Sequence, residues 1–167
     1  TLRKIKGVIR SDTAVCRVAL YLRAQYCLNC VLPKLPLDGA DSGDLFAWVN
    51  GDLELIEVKH INHWTGSWPF RDFIVDNYEP YHAKSKKAIW YFAVSNDLSA
   101  FGKIDVAKTF HLWEKQERLI LETGGREKIK KNVYVAPLDA VQWGTLIDPS
   151  VADDRLDSWI KRKMGAG

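Results

Sequence analysis

Asp44, Glu57 and Lys59 are the residues whose types and spacing could do chemistry together. Asn50-Gly51 lies between two strand-like runs, and Asn-Gly is the strongest short-range hairpin signal, because a type I′ turn needs φ > 0 at both central residues. Counting outward from that turn sets Val49 against Asp52, Trp48 against Leu53, Ala47 against Glu54, Phe46 against Leu55, Leu45 against Ile56 and Asp44 against Glu57. The last pair falls on a non-hydrogen-bonded step, where Cβ atoms stand roughly 4.5–5.5 Å apart. Lys59, two residues beyond Glu57, shares its face. Two facing carboxylates repel, and one cation resolves the conflict; hard divalent ions such as Mg²⁺ take carboxylate oxygens readily. A lysine beside such an ion holds and polarises an attacking water or a phosphate oxygen. The constellation reads as a site for metal-assisted phosphodiester hydrolysis. The bland alternative is a half-exposed hairpin whose acids are merely solvated.

Asp, twelve residues, then Glu-x-Lys across a hairpin resembles the signature of the PD-(D/E)xK nuclease superfamily, which includes restriction enzymes, Holliday-junction resolvases and repair nucleases. The resemblance implies that Asp44 and Glu57 are Mg²⁺ (or Mn²⁺) ligands, that the Val58 backbone carbonyl is a further ligand, and that Lys59 orients the nucleophilic water. Gly43 stands where the superfamily usually has proline. The implied fold is α/β (α+β): a restriction-endonuclease-like αβββαβ core, with a mixed central sheet flanked by helices.

The 167 residues suit one domain with a proper core, read here as a core over about residues 12–95 and a C-terminal elaboration over about 96–167. A hydrophobic content of 47% with 27% charged residues fits an ordinary globular chain. No apolar run approaches a membrane span, Thr1-Leu2-Arg3-Lys4 is not a secretory signal, and three cysteines argue for a reducing cytoplasm over a disulfide framework. The expectation is a cytoplasmic protein with no membrane partner. Charge is segregated. Residues 35–58 hold six acids and no Lys or Arg, so that segment carries −6 and, for a net +3, the remainder carries +9. An acidic pocket in a basic protein suits a metal-dependent enzyme acting on a polyanion, although segregation of this size also arises by chance.

Along the chain, residues 1–10 carry Arg3, Lys4, Lys6 and Arg10 without an acid and read as a basic arm or a solvated terminus. Ser11 or Asp12 offers an N-cap for a helix to about Leu28, with Val15, Val18, Ala19, Leu22 and Tyr26 on one stripe. That helix contains no Glu, where some members of the superfamily place an additional catalytic one, and this weakens a two-metal reading. Cys27 and Cys30, with His60 and His63, imitate a zinc set, but cysteine is commonly a small buried hydrophobe. Pro33 and Pro36 demote the next stretch to an edge strand, and Asp38 and Asp41 are rivals to Asp44 that do not pair with Glu57.

Trp64 and Trp68, in the loop after Lys59, either contact bases or cover core. Residues 70–87 read as helical at least in their second half, either kinked at Pro80 or starting there and running to Lys87. Arg71, Tyr81, Lys84 and Lys87 are candidates for contacting nucleic acid; the alternative for the lysines is a solvated helix terminus. Residues 88–94 are a continuous apolar run, read as a central strand. Residues 103–106 suggest a short strand and 107–113 a helical turn. Residues 117–123 and 132–136 suggest strands joined by a basic tip containing Lys128, Lys130 and Lys131, which either reaches across a groove or protects an edge. Helices are expected over about 137–146 and 151–163.

The reading is a metal-dependent deoxyribonuclease that acts as an endonuclease, with a homodimer expected by analogy. A branched-DNA resolvase is the alternative substrate class. Also open are a non-catalytic nucleic-acid-binding module on the same core, a hydrolase of small phosphate esters, and an RNA substrate.

Overall fold

The computed structural model describes residues 2–31, 44–121 and 127–146. Helix α1 (Leu2–Tyr26) leads into strand β1 (Cys30–Val31), then the hairpin β2 (Asp44–Val49) and β3 (Asp52–His60). After a loop come β4 (Phe73–Asn77), helix α2 (Tyr78–Ala83), β5 (Trp90–Val94) and β6 (Ala100–Asp105). The chain continues through α3 (Val106–Thr109) and a single 3₁₀ turn to β7 (Glu114–Leu121), β8 (Lys128–Ala136), a second 3₁₀ turn and β9 (Gln142–Thr145).

Six strands form a mixed sheet in the order β1-β2-β3-β5-β6-β9, and β4-β8-β7 form a second, three-stranded sheet. In the large sheet β3 and β5 run parallel and all other neighbours are antiparallel. The fold is thus mixed α/β, with two cores divided by the large sheet. On one side Val18 and Leu22 of α1 pack with Leu45, Ala47, Ile56, Val58, Phe92 and Val94. On the other, Leu55, Tyr91, Ala93 and Ile104 pack with Phe73 and Val75 of β4, Trp113 and Ala136. Alternation along β3 sorts these side chains, so Glu57 and Lys59 share the face of Leu55 and look toward the second core.

The hairpin register is the one counted from the turn, from Val49↔Asp52 out to Asp44↔Glu57. Asn50 (φ 52°) and Gly51 (φ 87°) both occupy the left-handed region that the turn demands. Strand β1 is an edge strand of the large sheet but shares only Val31 with the stretch expected to hold one, whose prolines lie outside the described residues; the apolar run yields β5, flanked by β3 and β6. Among the described residues no helix is long and apolar enough to cross a membrane.

Several expectations need correcting. Helix α1 starts at Leu2, not at Ser11 or Asp12, so residues 2–10 extend the helix instead of forming a separate arm. No proline interrupts that stretch, and Ser11 and Asp12 are tolerated within a helix at small cost. The first half of 70–87 is strand β4, because Phe73, Ile74, Asp76 and Asn77 pair with β8. Pro80 is the third residue of α2, still in the first turn, where a missing N–H costs nothing, and the helix ends at Ala83. The expected connection between hairpin and central strand is therefore a strand plus a short helix. The basic run Lys128–Lys131 is the start of β8, not a loop tip, since it pairs with Arg118–Leu121 of β7. Over 137–146 only Leu138–Ala140 is helical; Gln142–Thr145 pairs with β6 instead. Pro33, Pro36, Asp38, Asp41 and the helix expected over 151–163 lie outside the described residues.

Candidate active site

Glu57, near the carboxyl end of β3, is the backbone partner of Asp44 at the start of β2. The structure describes the backbone position of Asp44 and not its side chain. Glu57 Oε2 accepts a hydrogen bond from Lys84 Nζ at 2.8 Å, and Lys84 Nζ also lies 3.2 Å from Asp76 Oδ2. Lys59 Nζ donates to the Val75 carbonyl at 2.6 Å and stands 3.9 Å from Asp76 Oδ1. Two acids and two lysines thus alternate in one array, Glu57–Lys84–Asp76–Lys59, bridging the two sheets.

Asp76 is the member that the sequence reading missed. It is only 4% exposed, and its carboxylate is held by the Tyr91 phenol at 2.8 Å and by the Asn77 backbone N–H at 2.8 Å. Strict alternation after inward Phe73 and Val75 would send Asp76 outward. The pairing of β4 with β8 shifts between Ile74 and Asp76, and this bulge turns Val75 and Asp76 inward together. Lys84 follows directly from α2, where its N–H closes the helix on the Pro80 carbonyl at 3.1 Å. The short helix thereby aims the ammonium between the two carboxylates.

The array sets its own electrostatics. Burial disfavours the charge on Lys84, but the hydrogen bond and charge of Glu57, joined by Asp76, override it and raise the ammonium pKa above the ordinary lysine range. Burial, and then the negative charges of Asp76 and Glu57, push the Tyr91 phenol far up, so it stays a hydrogen-bond donor. Tyr81 is raised by burial and by the Asp76 charge.

The other candidates fall in several places. Tyr81 is 4% exposed and packs among Phe110, Trp113 and Tyr134, which makes it core. Lys87 stands 5.1 Å from the Tyr81 ring centroid and donates to the Lys84 carbonyl. Arg71 is exposed and pairs with Asp72 at 3.6 Å. Lys130 pairs with Glu117 on the exposed face of the β7–β8 ribbon, and Lys130 and Lys131 line an open pocket with Asn77, Glu79, Pro80 and Asn132. Lys128, at the start of β8, is exposed. Trp64 is buried and donates its indole N–H to the Gly66 carbonyl; Trp68 stacks on Phe73 and donates to the Asp72 carbonyl. Both therefore cover core. Cys30 Sγ lies by the Ala19 carbonyl, Cys27 is exposed, and His60 bonds the Asn96 carbonyl.

Among the described residues no three His, Cys, Asp or Glu side chains gather as a metal set. Glu57 and Asp76 make a pair, and their oxygens converge on one cationic centre, the Lys84 ammonium. Carboxylate oxygens such as these are the type of ligand that hard divalent ions take. Comparison with family models, with curated proteins and with solved structures finds no match. The functional reading accordingly stands on residue chemistry and geometry.

Proposed function

We propose that this chain is a divalent-metal-dependent nuclease with a restriction-endonuclease-like core, hydrolysing phosphodiester bonds of DNA. The observation that carries the reading is the register Asp44↔Glu57 with Lys59 two residues on, which sets two acids across a hairpin and a lysine on their face. The strand arrangement supports it in part: α1, the antiparallel strands β1–β3, then α2 and β5 parallel to β3 follow the αβββαβ order of the superfamily, with β4 as an extra strand before α2.

Asp44, Glu57 and the Val58 backbone carbonyl would hold Mg²⁺ or Mn²⁺. Such an ion, when bound, acidifies water and offsets charge at the phosphate. Lys59 would orient the attacking water and Lys84 would meet phosphate oxygens, since both lysine side chains are more exposed than Glu57 and Asp76. The basic Lys128, Lys130 and Lys131 on β8 supply sequence-independent backbone contacts. A second reading, a nucleic-acid-binding module without turnover, is favoured by one observation: the charges of Glu57, Lys84, Asp76 and Lys59 satisfy one another.

The test is cleavage of labelled plasmid, linear duplex, single-stranded and four-way-junction DNA in Mg²⁺, Mn²⁺ or EDTA. Asp44→Asn, Glu57→Gln and Lys59→Ala each abolish metal-dependent product while the protein remains folded. Full activity in all three folded variants overturns the assignment. Salt-sensitive binding with no product on any substrate moves the reading to the binding module.

A further inference from the structure

Glu57 belongs to the large sheet and Asp76 to the small one, and like charges brought together from separate elements need a cation between them. The chain supplies its own. Lys84 Nζ reaches both carboxylates, at 2.8 Å and 3.2 Å, from a backbone fixed by its own N–H on the Pro80 carbonyl and by Lys87 Nζ on its carbonyl. A divalent ion at Glu57 would seek the same oxygens at metal–oxygen distances of about 2.0–2.6 Å. An ammonium held 2.8 Å from Oε2 would then face it within a few ångström, where repulsion between unscreened cations is large. One oxygen cannot serve both well. The Lys84 side chain is 31% exposed, against 14% for Glu57 and 6% for Asp76, so it has a way out toward solvent that the acids lack.

Resting on the reading of Asp44, Glu57 and Lys59 as a metal-dependent centre, we propose that Lys84 is an internal counter-ion that competes with the divalent cation for Glu57. Lys84 must leave Glu57 for the cation to take that carboxylate, and the displaced ammonium is then free to meet the phosphate of an incoming polyanion. Loading of the site and binding of nucleic acid are thereby coupled. Each favours the other by the same factor, as linkage requires. Without substrate, Lys84 keeps the acids neutralised and the affinity for metal low.

The experiment is calorimetric titration of Mn²⁺ into the wild type, Lys84→Met and Lys84→Arg at constant ionic strength. Folding of each is checked by circular dichroism. Lys84→Met binds Mn²⁺ at least about tenfold more tightly than the wild type, within the usual range for coupled sites, while Lys84→Arg, which keeps the charge, stays close to wild type. Equal or weaker affinity in Lys84→Met overturns the competition and leaves the metal-dependent centre standing. No Mn²⁺ binding by any of the three folded proteins removes that centre, and the competition with it. A measurement on the wild type alone guards against a misfolded variant: acetylation of Lys84 by a water-soluble succinimidyl ester, read by mass spectrometry. Mg²⁺ increases labelling at Lys84 relative to Lys130 if the ammonium is displaced; unchanged or reduced labelling overturns the proposal.

Discussion

Tyr91 on β5 donates its phenol to Asp76 Oδ2 on β4 at 2.8 Å, so one buried hydrogen bond ties the large sheet to the small one beside the candidate site. Both partners are almost wholly buried, and the bond is to a charged acceptor, which places it among the stronger ones. Tyr91→Phe keeps the ring in the second core and removes only the donor. Asp76 Oδ2 then retains Lys84 alone. The expected loss is about 1–3 kcal/mol in urea unfolding, with the fold intact by circular dichroism. An unchanged midpoint would mean that water replaces the phenol.

Asp97 gives a pH-dependent test at the turn between β5 and β6. Its Oδ1 accepts from Ser99 Oγ and Ser95 Oγ at 2.7 Å each and from the Ser99 N–H at 3.1 Å. The Ser99 hydroxyl, then Ser95, lower its pKa from 3.8 to about 2. The unfolded chain therefore takes up a proton at a higher pH than the folded one. The stabilisation is present in full above the unfolded value and is lost as pH falls from about 4 toward 2. Stability of Asp97→Asn declines less steeply than wild type across that window, and parallel declines would show that the turn does not hold the carboxylate in solution.

Gly51 is at φ 87°, and nothing lies within 4 Å of where its Cβ would stand, so a substitution there reports backbone strain and not a clash. Gly51→Ala costs about 1–2 kcal/mol, the penalty of an L-residue in the left-handed region. Because this turn sets the Asp44↔Glu57 register, the variant also tests whether register or packing holds the hairpin: a proportionate loss of stability with the proposed cleavage retained per folded molecule is the expected result. Activity lost out of proportion to stability would mean that the strands slip.

That turn also explains which parts of the chain were legible. Asn50-Gly51 carries its own geometry, and Leu45, Ala47, Ile56 and Val58 agree with it by filling one core, so local and tertiary preferences point the same way. The run Trp90–Val94 was readable for a similar reason, since a strand buried on both faces has no polar position to hide it. Strand β4 was not. Phe73, Ile74, Tyr78 and Tyr81 also fit a helical stripe, and pairing with β8, nearly sixty residues on, decided the matter. The β8 lysines were hidden differently. Lys128, Ile129, Lys130 and Lys131 look like a solvated tip until paired against β7, whose outward face is exposed along its length. Asp76 was concealed by the bulge, which breaks the alternation on which an inward or outward assignment depends. Lys84 was noticed as a cation for phosphate, but nothing local indicates that Glu57 and Asp76 claim it.

Asp76 therefore separates bracing from chemistry. Asp76→Asn preserves volume and removes the charge that Lys84 and Lys59 face, leaving Lys84 with Glu57 and Lys59 with the Val75 carbonyl. Breaking a buried ionic network from one side typically costs about 3–5 kcal/mol, and the expected loss lies toward the lower end because each lysine keeps one partner. If Asp76 only braces the two sheets, cleavage per folded molecule is unchanged well below the unfolding temperature. If it also positions Lys59, kcat of the proposed cleavage falls by about tenfold or more, as misplacement by a fraction of an ångström at a reacting centre does, while KM for the proposed DNA substrate moves little. We expect the second result, since among the described residues Asp76 Oδ1 is the carboxylate oxygen paired with Lys59 Nζ, at 3.9 Å. Unchanged kcat in a folded Asp76→Asn protein would assign Asp76 to stability alone.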